Sequence, residues 1–395
     1  MRYCVWLVAG VLCAAPPVVK DAAKAGLDAK RLALIPARMK EFVDSGKVAG
    51  VVTLVARRGQ IAALDATGYT DLESRQAMGT GNIFQLHSMT KPIVSTALTM
   101  LVEEGRLALT DAVEKHLPEF RGLRLKGGGK PARAVMVRDL MTHTSGIMGK
   151  PPAGIGELHG ALHKSLAEVV AIVSQQPLEF EPGTRWQYSD MGIATVGRLV
   201  EVLGGMPLEK FLEKRIFEPL GMKDTFIFPP KEKFHRMPTA YVLRDGKPVK
   251  YTADPLGEGK MKFREGAKYS LPEGGLYSTA EDLFAFYQMM LNGGEYGGKR
   301  LLSKAGVQTM TALQTGEMAT NAPGNGWGLG WFVVRAPLGE LSLLPRGAYG
   351  HGGRYGTFCF LDPAREMIGI FLIHREGGSE ERQAFVQLAM GAAID

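Results

Sequence analysis

Apolar residues recur at helical spacing in some stretches of the chain and form continuous β-rich runs in others. Between positions 30 and 45, Leu32, Ile35, Met39, Phe42 and Val43 fall on one face, which predicts an amphipathic helix. Runs at 51–56 and 61–65, split by Arg57-Arg58-Gly59-Gln60, predict a β-hairpin. After a polar loop, Val94, Ala97, Leu98, Leu101 and Val102 again share a face, and Gly105 stands where a helix would end.

From about 105 to 290 the pattern is mostly helical. Helices are predicted over 165–175, over 193–203 (stopped by Gly204-Gly205) and over 209–217 (ended by Pro219 and Gly221). A further helix over 279–291 has Thr279 as its N-cap and Glu281-Asp282 in its first turn. Positions 226–271 are polar and rich in Pro and Gly, as expected of a long surface excursion bordering a site. The last hundred residues return to β character. Residues 326–334 read as one strand, 356–361 and 367–373 as a hairpin around Asp362-Pro363, and 379–394 as a closing helix. Strands at both ends around a helical middle predict an α/β (α+β) protein. One lobe would join 26–104 to 291–395, a helical lobe would span 105–290, and the site would lie between them.

Composition narrows the function classes. Of 395 residues, 45% are hydrophobic and 22% charged, ordinary for a globular protein with a large core. The net charge is +7, but no basic block or basic–aromatic interleaving concentrates it, so no nucleic-acid partner is expected. Cys4, Cys13 and Cys359 make no disulfide framework and no metal spacing. His159 and His163 are four apart but lack an acidic third ligand nearby, so no metal is expected. Arg2 followed by the apolar run to Ala15 looks like an export signal, too short to span a membrane. Segment 1–25 is therefore set apart, and a periplasmic or secreted location is favoured over an uncleaved cytoplasmic start. No stable membrane insertion is expected.

Candidate chemistry begins at Ser88-Met89-Thr90-Lys91-Pro92. Pro92 fits a first helical turn, and residues three apart on a helix share a face, so hydroxyl and amine can meet. A buried amine can activate a serine, while the helix N-terminus directs N–H groups at developing negative charge. Alone, a Ser and a Lys three apart are a common coincidence. No other serine here has Lys at that spacing. Downstream, Tyr188 precedes the 193–203 helix on a loop, where a phenol beside an ammonium can shuttle protons. His351-Gly352-Gly353, at the start of a strand, lets a ligand approach the backbone and offers an N–H to an oxyanion.

Ser88-x-x-Lys91, Tyr188-Ser189-Asp190 and His351-Gly352-Gly353, in that order, resemble the class C β-lactamase-like serine hydrolases. Those enzymes carry SxxK, Tyr-x-Asn and Lys-Thr-Gly. Leu140-Met141-Thr142-His143-Thr144-Ser145-Gly146, Pro182-Gly183-Thr184 and the Gly-Trp-Gly-Leu-Gly-Trp run at 326–331 look like that family too. The resemblance covers about residues 30–390. It implies a β-lactamase/penicillin-binding-protein-like fold: an antiparallel sheet flanked by terminal helices, with an inserted helical lobe. It also implies Ser88 as the acylated nucleophile, Lys91 as keeper of the proton network, Tyr188 as base, and the backbone N–H groups of Ser88 and Arg354 as the oxyanion hole. No cofactor is implied.

Two departures bear on the substrate. His351-Gly352-Gly353 removes the ammonium and hydroxyl that would grip a β-lactam or peptide carboxylate, a grip an uncharged ester does not need. This makes the chain most similar to family VIII carboxylesterases, acting on small short-acyl esters. Asp190 in place of Asn would favour charged Lys91 and leaves open whether Lys91 or Tyr188 is the working base. His351, Gly352, Gly353 and Asp190 are the expected substrate-binding residues. The alternatives are a β-lactamase or D-Ala-directed peptidase and a penicillin-binding-like sensor that acylates without turning over. No Gly-x-Ser-x-Gly elbow supports a Ser-His-Asp hydrolase.

Overall fold

The computed structural model describes residues 22–150, 163–251, 264, 266–377 and 379–394. The export-like run, Cys4, Cys13 and His159 lie outside the described residues. The strands are, in chain order, β1 (Gly50–Arg57), β2 (Gln60–Gly68), β3 (Phe84–Gln85), β4 (Tyr241–Arg244), β5 (Lys247–Lys250), β6 (Tyr277–Ser278) and β7 (Glu295–Tyr296). They continue as β8 (Lys299–Arg300), β9 (Asn325–Trp327), β10 (Phe332–Val334), β11 (Tyr349–Gly352), β12 (Phe358–Asp362), β13 (Met367–Ile373) and β14 (Arg375–Glu376).

Seven strands form one antiparallel sheet in the order β2-β1-β13-β12-β11-β10-β9. The N-terminal hairpin is thus paired to strands from the far end of the chain, with Val51 opposite Ile373. Every residue of β1 and β13 is buried, because both sheet faces are covered. Val51, Val55, Phe371 and Ile373 point to one side, toward Ile35, Met39 and Phe42 of helix Leu34–Asp44 and Phe385 and Val386 of helix Glu380–Gly391. Val52, Leu54, Ile370 and Leu372 point to the other side, into a second core. That core includes Leu98 of helix Thr90–Glu103, Val196 of helix Asp190–Gly204 and Phe286 of helix Ala280–Leu291. Each such side chain contributes about 1.5–3 kcal/mol relative to exposure.

The sequence expectation of one strand over 326–334 is corrected here. The run splits into β9 and β10, a hairpin with Trp327 opposite Phe332. Gly330 has φ +80, and a Cβ there would lie 2.2 Å from Ser95 Oγ. The turn therefore needs glycine, and the chain reverses there. The 209–217 helix is likewise composite: Leu208–Leu212, then a single π turn over Glu213–Phe217. Within the polar excursion, β4 and β5 pair and β4 lies parallel to β14. No single described helix is long and apolar enough to cross a membrane.

Candidate active site

The two-stranded ladder of β3 and β6, extended by Leu86 N–H donating to Leu276 C=O at 2.8 Å, delivers the chain to Ser88. His87 then takes the left-handed region at φ +47, sparsely used by non-glycine residues, and a single 3₁₀ turn, His87–Met89, precedes the helix that starts at Thr90. Ser88 sits on that turn, partly exposed. Pro92 occupies the first turn of the helix, where an N–H would have had no intrahelical partner.

Lys91, wholly buried, points back at Ser88. Its Nζ donates to Ser88 Oγ at 2.9 Å and to the Glu273 carbonyl at 2.6 Å. It also forms an ion pair with Asp190 Oδ1 at 2.8 Å. Asp190 opens its helix directly after Ser189, whose hydroxyl caps it by accepting from Gly192 N–H at 2.8 Å. This short loop-to-helix junction also carries Tyr188. The Tyr188 phenol lies close enough to Lys91 and Ser88 for both to pull its pKa down, and Lys91 Nζ lies 4.8 Å from the ring centroid.

His351 and Gly352 end β11. The following turn is docked against the segment before the serine: Thr357 Oγ1 donates to the Leu86 carbonyl at 3.1 Å, and a Cβ on Gly353 would meet that carbonyl oxygen at 2.3 Å. This close approach brings Gly353 and Arg354 beside the Ser88 turn. The Arg354 guanidinium is directed elsewhere, to Glu376 (Nε–Oε1 2.8 Å) and the Tyr251 hydroxyl (3.0 Å). His351 is buried, and its Nδ1 donates to the Gly352 carbonyl at 2.8 Å. Since a carbonyl only accepts, Nδ1 carries the proton and Nε2 presents a lone pair. That Nε2 has no hydrogen-bond partner among the described residues.

Burial alone would lower the Lys91 ammonium pKa. The Asp190 carboxylate and the Tyr188 oxygen outweigh it, and the net shift is upward. Lys91 is therefore held charged. Burial pushes the Tyr188 phenol up against the opposing pull of Lys91, so at rest it keeps its proton. His351 is pushed down to about 3 by burial and then by the Lys91 charge, and stays neutral. The arrangement joins a partly exposed hydroxyl, a fixed ammonium and a phenol beside them. This is the equipment of nucleophilic acyl transfer.

The structure brings Ser88, Lys91, Tyr188 and Asp190 together, with His351, Gly352 and Gly353 alongside. Sequence reasoning did not find the Glu273 carbonyl, since a backbone acceptor has no side-chain signature. Nor did it assign a role to His143, Trp186 or Trp327, which surround Tyr188 with ring centroids 4.4, 6.2 and 5.7 Å away. Concavity alone would have misled. A cavity of about 640 Å³ is lined by Glu209, Phe217, Met222, Ile227 and Phe228, away from all these groups. Among the described residues no group of three or more His, Cys, Asp or Glu is placed to hold a metal ion.

Comparison with known proteins shows the family and the fold. The beta-lactamase family model matches residues 35–391. Esterase EstB of Burkholderia gladioli is 32% identical over 374 residues, 88% of this chain and 91% of that protein. Protein Rv1367c of Mycobacterium tuberculosis is 31% identical over 360 residues, 85% of this chain and 88% of that one. Among solved structures, EstCE1, described as a hydrolase with promiscuous acyltransferase activity, superposes with a TM-score of 0.77 at 23% identity, covering 93% of this chain and 99% of that one. A penicillin-binding protein homologue from Caulobacter crescentus gives 0.74 at 21% identity, with coverage of 93% and 99%. The chain belongs to the beta-lactamase family of serine hydrolases.

Proposed function

We propose that the chain is a carboxylesterase of the family VIII type, cleaving small, short-acyl esters through an acyl-enzyme on Ser88. The observation that carries this reading is Lys91 Nζ, locked between Asp190 and the Glu273 carbonyl and 2.9 Å from Ser88 Oγ under the Tyr188 ring. Ser88 Oγ adds to the ester carbonyl while Tyr188 acts as a relay, passing its own phenolic proton toward the leaving oxygen and taking the serine proton in its place. A proton from Tyr188 goes to the departing alkoxide oxygen, so the C–O bond breaks and an alcohol leaves. In the second half the phenol returns a proton to the departing Ser88 Oγ and takes one from water, which adds to the acyl carbon and releases a carboxylic acid. Negative charge appears on the phenol only while a proton is in flight, and the fixed Lys91 ammonium beside it stabilises that charge. The N–H groups of Ser88 and Arg354 serve the oxyanion.

Neutral His351 favours esters over β-lactams or peptides. A carboxylate-bearing substrate would find no cation at this position, whereas an uncharged ester needs none. Side-by-side assays of p-nitrophenyl esters and a cephalosporin, with Ser88→Ala as control, test the reading. The expected result is ester turnover that dominates and falls by about 10⁴-fold or more in the variant. Wild-type ester rates in Ser88→Ala overturn the mechanism. Cephalosporin turnover faster than ester turnover identifies a β-lactamase, and a burst without turnover identifies an acylated sensor.

A further inference from the structure

We infer that His143 is the positioning residue of Tyr188, holding the phenol over Lys91 and Ser88 by gripping the main chain on both of its sides. This rests on the reading of Tyr188 as the proton shuttle. On one side, Gln187 N–H donates to the His143 carbonyl at 2.9 Å. On the other, Ser189 N–H donates to His143 Nδ1 at 3.1 Å. A single residue thus accepts from the amides immediately before and after Tyr188. The side chain and carbonyl can serve together because His143 adopts φ +60, a left-handed conformation uncommon for a residue with a side chain.

The imidazole does a second thing. Its ring faces the phenol at 4.4 Å between centroids with a 33° tilt, and meets Trp327 edge-on at 4.8 Å and 84°. Tyr188 is therefore fixed in height by two main-chain bonds and in orientation by a ring wedged between it and Trp327. Because Nδ1 accepts, the neutral ring carries its proton on Nε2. His143 is fully buried and its pKa is driven far down, first by burial and then by the Lys91 charge, so the acceptor persists at neutral pH. Neighbouring bonds extend the grip. Gly183 N–H donates to the Thr144 carbonyl at 2.7 Å, Ser189 Oγ to the Met148 carbonyl at 2.8 Å and Asp190 N–H to the Gly149 carbonyl at 2.9 Å. Residues 143–149 thus form a cradle for the Tyr188 loop, with His143 supplying the two bonds nearest the phenol. Misplacing a proton-transfer group by about 1 Å costs about 100-fold in rate, which sets the scale expected here.

Steady-state kinetics on His143→Ala, His143→Asn, Tyr188→Phe and the double variant His143→Ala/Tyr188→Phe test the inference. Asn keeps an oxygen near the Nδ1 position and tolerates the left-handed backbone. His143→Ala is expected to lose about 100-fold in kcat with KM within about threefold of wild type. His143→Asn should recover to within about tenfold. On the Tyr188→Phe background, His143→Ala should cost no more than about threefold further, because its effect passes through the phenol. Full additivity in the cycle, or a loss confined to KM, overturns the inference while leaving the parent reading intact. A near-normal Tyr188→Phe overturns both. If His143→Ala does not fold, His143→Gln takes its place in the cycle, its longer side chain displacing the acceptor; a Gln variant with full kcat overturns the inference.

Discussion

Lys91 and His351 are both buried beside the same serine and hold opposite charge states. Lys91 has a carboxylate at 2.8 Å, a carbonyl at 2.6 Å and a hydroxyl at 2.9 Å around one ammonium. His351 has one carbonyl and the repulsion of Lys91. Desolvation acts on both, and the count of acceptors in reach decides the outcome. The same deficit keeps three more buried rings neutral. His87 and His143 are driven well below their ordinary range and His374 to about 4, in each case chiefly by burial. Beside Ser88, Lys91 is thus a buried, fixed ammonium among neutral imidazoles, and the charge that the proposed acyl transfer would develop meets its field.

Removing the cation should break the contrast most severely. Lys91→Met keeps the volume and deletes the ammonium, and ester kcat is expected to fall by about 10³–10⁴-fold in steady-state assays. Lys91→Arg should not restore it, because the guanidinium fork does not match the pocket built around Nζ.

Acid should break the neutral side. Where folding lowers a histidine's pKa, the unfolded chain takes up the proton first as pH falls. The stability this histidine contributes is complete above its unfolded value, near 6.5, and is lost progressively as pH falls toward the folded value. Denaturant unfolding should show stability dropping by about 1–2 kcal/mol per buried histidine between pH 7 and pH 5. His374→Gln should flatten that slope by one histidine's share.

Asp190→Asn sharpens the contrast. Without the carboxylate, Lys91 loses the main partner that raises it, so the alkaline limb of kcat/KM should move to lower pH. At neutral pH the rate should change by about tenfold or less. His351→Lys, which adds a second cation, is expected to have the smallest effect. It should raise the ratio of cephalosporin to ester turnover by severalfold, with a lowered Tm from the like charge next to Lys91.

Much of this organisation was legible along the chain. Val94, Ala97, Leu98 and Leu101 mark a helix because every third or fourth position must face the core, and Ser88 and Lys91 follow from that spacing. Asp190 was readable as a carboxylate able to hold Lys91 charged, although its direction came only from the Ser189-capped junction. Other parts were not legible for physical reasons. Trp327, Trp331 and Phe332 read as one strand because apolar pattern does not register the positive φ that Gly330 supplies. The Glu273 carbonyl belongs to the backbone of any residue. His143 acts through a lone pair and a ring face on a loop 45 positions away, and neither leaves a local pattern.

The splicing of β1 to β13 has a consequence for synthesis. The chain emerges N-terminus first, so Ser88, Lys91 and Tyr188 all leave the ribosome well before the strand that seals the sheet. Until Ile373 arrives opposite Val51, the β1–β2 hairpin can pack only on helix Leu34–Asp44 and presents an unpaired edge. The turn docked on Leu86 also arrives late. A nascent chain carries the proposed nucleophile, Ser88, but not the edge beside it, and its long-range pairing is among the slower steps of folding. The finished site is therefore a property of the nearly complete chain, and truncations before β13 should yield neither a stable hairpin nor a working serine.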